Sequence, residues 1–537
     1  MYYLKRVSFA LMVAGSVSGS YAAPLTQPNA SSLSQDYKSL ESKATVMPQL
    51  DNFTLNGAPL SEDAEGGIKV PLNSIMFSGN RAFDSSELNT VLAVDRLEAT
   101  YDLAGLKALA NRISIFYRES GYPFARAFIP AQDFGDGQLA IEVVEGRYGV
   151  VTTTGEADLV KSTQGYLGDL KLGSVIYAPE LERAVLILSD QPGITIVPVM
   201  QPSKKVGSGD LMVSVREGER YFGSLGVDNY GNRYSGSDRF LLDFSANRLL
   251  KLGDELSFST FITDESTWLG QAQYAFPVGY KGLRAELGYS HLDYNLIEDF
   301  GSGFSGTATT QSFQLSYPLV RSMLTNVTAL TKFSRSEYLD QRGGFEDSKD
   351  AKNLQVGLQF DHRDSFYGGG VTYGNLFNIK ANISQSSTVT DSSFNVHKGL
   401  IARVQNLPSS YSLFTSVSGQ YANQSIDGTQ QTGLGGVNGV RAYPQGEASG
   451  SKSLTSQIEI RYNKDEYQPF VFYDIARRIK TEDETSRDLS GAGLGLRYTD
   501  KMFSAEVLSA WKVKGGDSVS DSKQQDPQIW FKARYNF

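Results

Sequence analysis

The chain has 537 residues, 40% of them hydrophobic and 53 of them glycine, so it is long enough for several folded domains and is neither a disordered tail nor a fibre. It has no cysteine, which excludes disulfides, thiol nucleophiles and cysteine-bound zinc or iron–sulfur clusters. Its formal net charge of −9 argues against nucleic-acid binding through a general basic surface.

Residues 1–22 have the pattern of a secretory signal peptide. Lys5 and Arg6 form a basic start, an apolar run follows, and small residues surround the predicted cleavage after Ala22. A membrane anchor needs about 20 apolar residues, and this run is shorter. We therefore expect the mature chain to begin at residue 23.

Residues 23–67 are predicted to contain a helix at about residues 31–47 and then a linker. The helix has one narrow apolar stripe at spacings of four and three residues, and Pro48 ends it. The stripe consists of Leu33, Tyr37, Leu40, Ala44 and Met47. This pattern fits a surface helix on a neighbouring domain and a helix inside a polar channel equally well.

Two small α/β modules are predicted next, over residues 68–147 and 148–216. In the first, a helix after Asp102 is apolar on one face and ends at Gly121, and an alternating strand covers residues 138–144. In the second, a helix over residues 179–189 has the same one-sided pattern. The pattern therefore indicates two similar modules in tandem.

From residue 220 to residue 537 the hydrophobic pattern has a period of two, and a barrel domain is predicted over residues 217–537. Sixteen alternating segments divide this region at about 20 residues per strand and connection, the spacing of a membrane β-barrel. Lipid accepts only structures whose backbone groups pair internally, and the sequence contains no apolar helical span. A soluble β-solenoid or sandwich is the alternative, but aromatic residues at strand ends, such as Tyr274 and Tyr289, favour the aromatic girdles of a barrel.

The last segment shows this alternation most clearly. One face is apolar and the other carries polar residues, as a strand between lipid and lumen requires. The apolar face includes Phe531, Tyr535 and Phe537. An aromatic residue is thus the last residue of the chain.

Short motifs occur in both modules and at the start of the barrel. They lie at residues 121–122, 130–133, 137–139 and 144–146, at 181–184, 192–193 and 209–211, and at 228–231, 236, 247 and 253–254. Together they resemble the outer-membrane transporters of two-partner secretion, the family that exports haemagglutinins, haemolysins and contact-dependent-inhibition toxins. The resemblance covers nearly the whole mature chain. It implies a 16-stranded antiparallel outer-membrane β-barrel preceded by an N-terminal plug helix and two POTRA domains.

Two further motifs in the barrel resemble a loop-to-barrel lock of this superfamily. A loop at about residues 425–451 is similar to one that folds into the lumen, and its tip consists of Val440, Arg441, Ala442 and Tyr443. The receiving wall strand is similar at Phe472, Tyr473 and Asp474. By resemblance, Arg441 and Asp474 form the lock, and a guanidinium fork is well suited to hold a carboxylate through two hydrogen bonds.

The sequence departs from the family pattern in three places. Ala442 stands where glycine is usual, Ala476 stands where a glycine is common, and residues 201–203 replace a Pro-Gly turn. The two alanines raise the question of how closely the loop packs against the wall.

The resemblance also implies a function. Periplasmic POTRA domains would capture an unfolded, large β-helical exoprotein, and the barrel would export it without nucleotide hydrolysis. The helix at residues 31–47 would plug the lumen at rest. The expected surroundings are outer-membrane lipid and the barrel-assembly machinery, which would act on the C-terminal strand of a monomer.

Other functions are less well supported by the residues. No phosphate-binding glycine motif, calcium loop or metal-ligand spacing occurs, so no cofactor, metal or catalytic residue is predicted. The run from Asp361 to Asp364, which contains His362, is read as the end of a strand. The main alternative is a barrel-assembly insertase of the same superfamily, followed by a passive porin, which needs no periplasmic modules, and a barrel hydrolase, which needs a clustered acid, base or nucleophile.

Overall fold

The computed structural model describes residues 29–30, 32–34, 47, 67–93, 100–134, 136–265, 267–297, 303–385 and 392–537. The predicted signal peptide and most of the predicted N-terminal helix, including Tyr37, Leu40 and Ala44, lie outside these residues. None of the helices within the described ranges combines the length and the hydropathy needed to cross a membrane.

The first module is a small sheet with helices packed on it. Its elements are β1 (Val70–Pro71), β2 (Ser74–Ser78), α1 (Ser85–Leu92), β3 (Thr100–Tyr101), α2 (Leu103–Glu119), β4 (Arg126–Phe128) and β5 (Gln138–Val144). The sheet has the order β2-β5-β4, and β1 pairs separately with β3. The Asp102 side chain caps α2 by accepting from the Gly105 amide at 2.8 Å. The buried face of α2, with Leu106 and Ile113, forms the core together with Leu139 of β5.

The second module repeats the same arrangement. Its elements are β6 (Arg147–Gly155), α3 (Ala157–Thr163), a 3₁₀ turn (Gln164–Leu167), α4 (Ala178–Ser189), β7 (Ile194–Pro202) and β8 (Ser208–Glu217). The strand order is β6-β8-β7, with β6 parallel and β7 antiparallel to the central strand. Leu181, Val185 and Leu188 of α4 are fully buried, as the one-sided pattern predicts.

Sixteen antiparallel strands close into a barrel. They are β9 (Tyr221–Asp228), β10 (Arg239–Asn247), β11 (Glu255–Thr263), β12 (Trp268–Pro277), β13 (Arg284–Leu296), β14 (Phe304–Arg321), β15 (Thr325–Arg342), β16 (Phe345–Asp364), β17 (Gly370–Gln385), β18 (Ser392–Asn406), β19 (Tyr411–Ala422), β20 (Ser453–Tyr462), β21 (Tyr467–Arg478), β22 (Arg487–Thr499), β23 (Phe503–Lys514) and β24 (Gln528–Asn536). The first and last strands pair with each other. The predicted 16-stranded antiparallel barrel is confirmed.

Strands β14 and β16 have 18 and 20 residues and are longer than the segments that the sequence predicts at 308–317 and 352–364. Strand β15 has 18 residues, and it ends four residues beyond the segment predicted at 322–338. The residues added at the distal ends of these strands are mostly polar, so they lack the alternation by which the shorter segments are recognised. Backbone pairing nevertheless continues to the end of the hairpin, where Arg342 faces Phe345.

Because β9 starts beside the second module, the connections after even-numbered strands lie at the module-side end of the barrel and those after odd-numbered strands lie at the distal end. The walls alternate as expected. Phe531 and Tyr535 of β24, and Phe537 directly after it, are exposed on the outside, whereas Trp530 is buried on the inside. Phe537 also closes the seam, since its amide donates to the Gly223 carbonyl at 3.0 Å.

Candidate functional site in the barrel lumen

The connection between β19 and β20 lies at the distal end and folds into the lumen. Its tip residues Val440, Ala442 and Tyr443 are fully buried. The Gly439 carbonyl accepts a hydrogen bond at 2.9 Å from the side chain of Gln457 on β20. This connection contains the residues at about 425–451 for which an inward loop is predicted.

Arg441 and Asp474 meet inside the barrel. The guanidinium donates from Nε to Asp474 Oδ2 at 2.8 Å and from Nη2 to Oδ1 at 2.6 Å, and the Arg441 amide donates to Oδ2 at 3.1 Å. Both residues are almost completely buried. The sequence-predicted pair is thus brought together in the fork geometry that suits a carboxylate.

Arg441 is part of a larger set of charges that the sequence reasoning did not find, which we call the lumen charge network. Arg441 also contacts Glu459, which accepts from Arg461 Nε at 2.7 Å and from Arg497 Nη1 at 3.1 Å. Arg497 contacts Glu506 in turn. The network comprises the cations Arg441, Arg461 and Arg497 and the anions Glu459, Asp474 and Glu506. The charges balance, which compensates for taking them out of water.

Two aromatic side chains hold the arginine in place. The Arg441 guanidinium lies 3.7 Å from the centre of the Phe472 ring, and the Arg441 carbonyl accepts from Trp530 Nε1 at 2.7 Å. Tyr473, the middle residue of the wall motif, points outward and is exposed. Strand alternation separates the two roles: the even-numbered residues of this motif face the loop and Tyr473 faces the outside.

Further residues anchor the rest of the loop. The Tyr443 hydroxyl donates to the carbonyls of Lys514 and Gly516 at 3.0 Å. Glu447 is fully buried, accepts from Ser520 Oγ at 2.6 Å and pairs with Arg487 at 2.7 Å. The sequence signal for Glu447 is weak, since it is a single acid within a glycine-rich stretch.

The N-terminal segment also enters the lumen. Ala30 and residues 32–34 are helical, and Ala30 and Leu33 are buried among lumen side chains. The Ala30 amide donates at 2.7 Å to Asp340 Oδ1, which also accepts from the Tyr294 hydroxyl at 2.5 Å. Both partners lie near the distal ends of their strands. The described start of the segment therefore lies deep in the barrel.

Met47 lies at the opposite, module-side end. Its amide donates to Asp361 Oδ1 at 2.9 Å, and its carbonyl accepts from Arg363 Nη2 at 2.6 Å. His362, between these two residues, is on the exposed face of the strand. The run from Asp361 to Asp364 is thus the end of a strand, as predicted, but its inward residues bind the N-terminal segment.

A profile of the family described as haemolysin secretion/activation protein ShlB/FhaC/HecB matches residues 207–498, more than half of the chain. The chain belongs to this family. A second profile, the ShlB-type POTRA domain, matches residues 70–146. The chain is therefore an outer-membrane transporter of two-partner secretion with its POTRA domains in the periplasm, and the resemblance seen in the sequence is confirmed.

Curated relatives cover nearly the full length of this transporter. The heme/hemopexin transporter protein HuxB of Haemophilus influenzae is 25% identical, over 93% of this chain and 94% of its own. The outer membrane transporter CdiB of Dickeya dadantii is 23% identical, over 87% of both chains.

Solved structures show the same fold. CdiB from Escherichia coli superposes with a TM-score of 0.75 at 19% identity, covering 91% of this transporter and 94% of that chain. BamA from Haemophilus ducreyi lacking POTRA domains 1–3 reaches 0.50 at 13% identity, covering 87% of this transporter and 100% of that chain. In this membrane setting, the module-side end of the barrel is periplasmic and the distal end is extracellular.

Proposed function

We propose that the transporter captures an unfolded exoprotein in the periplasm and passes it through the barrel lumen to the cell surface. The proposed division is a signal peptide at 1–22, a helix and linker at 23–67, POTRA domains at 68–147 and 148–216, and the barrel at 217–537. HuxB and CdiB carry names that denote transport, and their similarity over most of the chain supports a transport role rather than barrel insertion.

The second POTRA domain offers a site for capture. Strand β7 lies at the edge of its sheet and presents Val197 and Val199, each 49% exposed. An edge strand can pair with an extended segment through main-chain hydrogen bonds, which gives affinity with little sequence demand. An unfolded exoprotein is the partner that fits such an edge, and we propose that it folds into a large β-helical protein outside the cell.

The lumen contents define the resting state. We propose that the segment around residues 31–47 acts as a plug, because Ala30 and Met47 bind near opposite ends of the barrel. A substrate can pass only when this segment and the inward loop give way. Leu33 and Met47 of the predicted stripe lie among the described residues, and Leu33 is buried as a lumen plug requires.

We further propose that Arg441 and Asp474 act as a lock between the loop and the wall. The single observation that best supports this role is their buried bidentate contact, made by a loop that occupies the conduit. We also propose that Phe531, Tyr535 and Phe537 present the C-terminal strand to the barrel-assembly machinery, and that the transporter acts as a monomer in outer-membrane lipid.

Secretion in cells tests the transport proposal. The transporter is expressed with its candidate exoprotein, and the amount released into the medium is measured for the parent chain, for Arg441→Ala and for the control Arg477→Ala. Arg477 is a neighbouring arginine whose side chain is 65% exposed. Release with the parent chain, loss with Arg441→Ala and retention with the control support the proposal. Release that is unchanged by Arg441→Ala contradicts the lock.

Conductance in planar bilayers tests the plug separately. Deletion of residues 31–47 should raise the ion conductance of the purified transporter, because the proposed plug is removed. An unchanged conductance would contradict the plug and leave the transport function standing.

A further inference from the structure

A continuous series of hydrogen bonds crosses the periplasmic end of the barrel wall. It begins at Asp190, the residue that follows α4 in the second POTRA domain. Arg321, at the end of β14, donates to both carboxylate oxygens of Asp190, from Nε at 2.8 Å and from Nη2 at 2.7 Å. The Arg321 side chain is only 2% exposed, so this pair is a largely desolvated link between the domain and the barrel.

The series continues through a buried amide. Arg321 Nη1 donates to Asn326 Oδ1 at 3.0 Å, and Asn326 Nδ2 donates to Asp361 Oδ2 at 3.0 Å. Asn326 and Asp361 are 2% and 1% exposed. The Asn326 side-chain amide therefore links Arg321 to Asp361: its oxygen accepts from the cation, and its NH₂ group donates to the anion.

The last link reaches the N-terminal segment. Asp361 accepts from the Met47 amide through its other oxygen, and Arg363 bridges Asp361 and the Met47 carbonyl, at 3.0 and 2.6 Å. Both contacts use the Met47 backbone. One carboxylate thus takes part in the barrel wall network and in the anchorage of Met47 at the same time.

We propose that Asp190, Arg321, Asn326 and Asp361 form a relay by which displacement of the second POTRA domain releases the N-terminal segment at Met47. When Asp190 moves away, the buried Arg321 guanidinium loses its carboxylate. Asp361 is the next anion in the series. When Arg321 and Asn326 shift so that Arg321 pairs with Asp361, the hydrogen bond from the Met47 amide to Asp361 weakens. Substrate capture on the POTRA domain would then loosen the lumen contents. The consequence for transport rests on the proposed plug function, but the relay itself does not.

The absence of cysteine in the chain allows a direct test. Met47→Cys keeps both backbone contacts, and the rate of its modification by a maleimide reports how firmly residue 47 is held. The rate is measured on the full-length chain in outer-membrane fragments open on both faces. Asp190→Asn, Asn326→Ala and Asp361→Asn are added singly, and Asp190→Asn is also combined with Asn326→Ala. Heat-modifiable gel mobility confirms that each barrel is folded.

A matched control separates the relay from general loosening of the domain. Arg183 also joins α4 to the barrel, donating to the Tyr317 hydroxyl at 3.1 Å and to the Leu319 carbonyl at 3.5 Å. Neither hydrogen bond involves Arg321, Asn326 or Asp361. Arg183→Gln should therefore leave the labelling rate unchanged.

We expect each of the three relay variants to raise the labelling rate roughly fivefold or more, the lower range of coupling between sites. The double variant should label no faster than its faster parent, because the two residues act in series. Four results would each overturn the relay: an unchanged rate with Asp190→Asn, an unchanged rate with Asp361→Asn, additive effects in the double variant, or an equal increase with Arg183→Gln. Failure of the plug deletion to change conductance would contradict the plug alone.

Discussion

Ala442 lies directly against the bare backbone of Gly491: a Cβ atom added to Gly491 would be 2.5 Å from the Ala442 Cβ atom. Gly491 is on β22 and faces Asp474 on β21 in the strand register. The alanine found where the family usually has glycine is therefore accommodated by a glycine on the adjacent wall strand. Close packing of the loop is retained: the loop residue Ala442 carries the methyl group, and the wall residue Gly491 leaves room for it.

Gly491→Ala should loosen the loop tip. Two methyl groups cannot occupy this space, so the loop or the strand must move, at a cost of about 1–3 kcal/mol for overpacking. We expect faster cleavage of the loop between β19 and β20 by an added protease in intact outer membranes.

The double variant Gly491→Ala with Ala442→Gly is the matched control. It returns the methyl group to one side of the contact, leaving neighbours at 3.2 Å or more from the new Cβ atom. Cleavage should return close to the parent rate. Equal cleavage of the single and double variants would show that the contact does not hold the loop.

Substitutions of the two lock residues should have unequal effects. Arg441→Ala leaves the buried Asp474 carboxylate without its cation, and breaking a buried pair costs about 3–5 kcal/mol. Asp474→Asn leaves Arg441 with Glu459 as a counter-charge. We therefore expect the loop to become more susceptible to protease in both variants, and much more so in Arg441→Ala.

Arg441→Lys tests whether charge alone is sufficient. A lysine keeps the cation but cannot form the parallel pair of hydrogen bonds, so protection of the loop from protease should be intermediate.

The comparison of Arg441→Ala with Asp474→Asn tests whether Glu459 compensates for the lost carboxylate. If Asp474→Asn were as damaging as Arg441→Ala, this compensating role of Glu459 would be wrong.

The fold was predictable because its main signals are local. Alternation along residues 528–536 indicates which side chains face lipid, and the one-sided stripe of α4 indicates its buried face, since each depends only on residues close in sequence. The distal ends of β14, β15 and β16 were not predictable, because mostly polar residues extend the pairing there without a hydrophobic pattern.

The lumen site was predictable only where a motif marked it. Arg441 and Asp474 were found through resemblance, whereas the contact between Arg441 and Glu459 depends on the register between β20 and β21. Met47 and Asp361 are 314 positions apart, and their contact can form only in the folded barrel. Such pairs have no local signal in a single sequence.

Asp340 should hold the start of the N-terminal segment in the lumen. Its carboxylate accepts from the Ala30 amide at the beginning of a helix, where an anion is favoured by the unpaired amides and the helix dipole. Asp340→Ala should therefore raise the frequency of open-channel events in planar bilayers, by an amount corresponding to about 1–2 kcal/mol. Glu337→Ala, an exposed acid on the same strand, should leave the frequency unchanged. Similar recordings from the two variants would argue against this anchor.

Deletion of Phe537 should impair closure of the barrel. The pairing of β24 with β9 spans only five residues on each strand, and Phe537 adds two backbone hydrogen bonds with Gly223, at 2.9 and 3.0 Å. The Phe537 ring also lies over Gly223, where an added Cβ atom would be 2.8 Å from it. We expect a several-fold lower fraction of folded, heat-modifiable barrel, measured both in cells and after refolding of purified chain into lipid without any assembly factor.

The two measurements separate closure from recognition. Ile529→Ala, which removes an exposed apolar side chain from the same strand, controls for lost lipid contact and should have little effect in either. A defect in both settings indicates that Phe537 acts through the seam, because the purified chain meets no machinery. A defect in cells alone would instead show that the barrel-assembly machinery recognises Phe537. Normal folding in both settings would contradict both roles, because neither the seam hydrogen bonds nor the aromatic ring of Phe537 would then be needed.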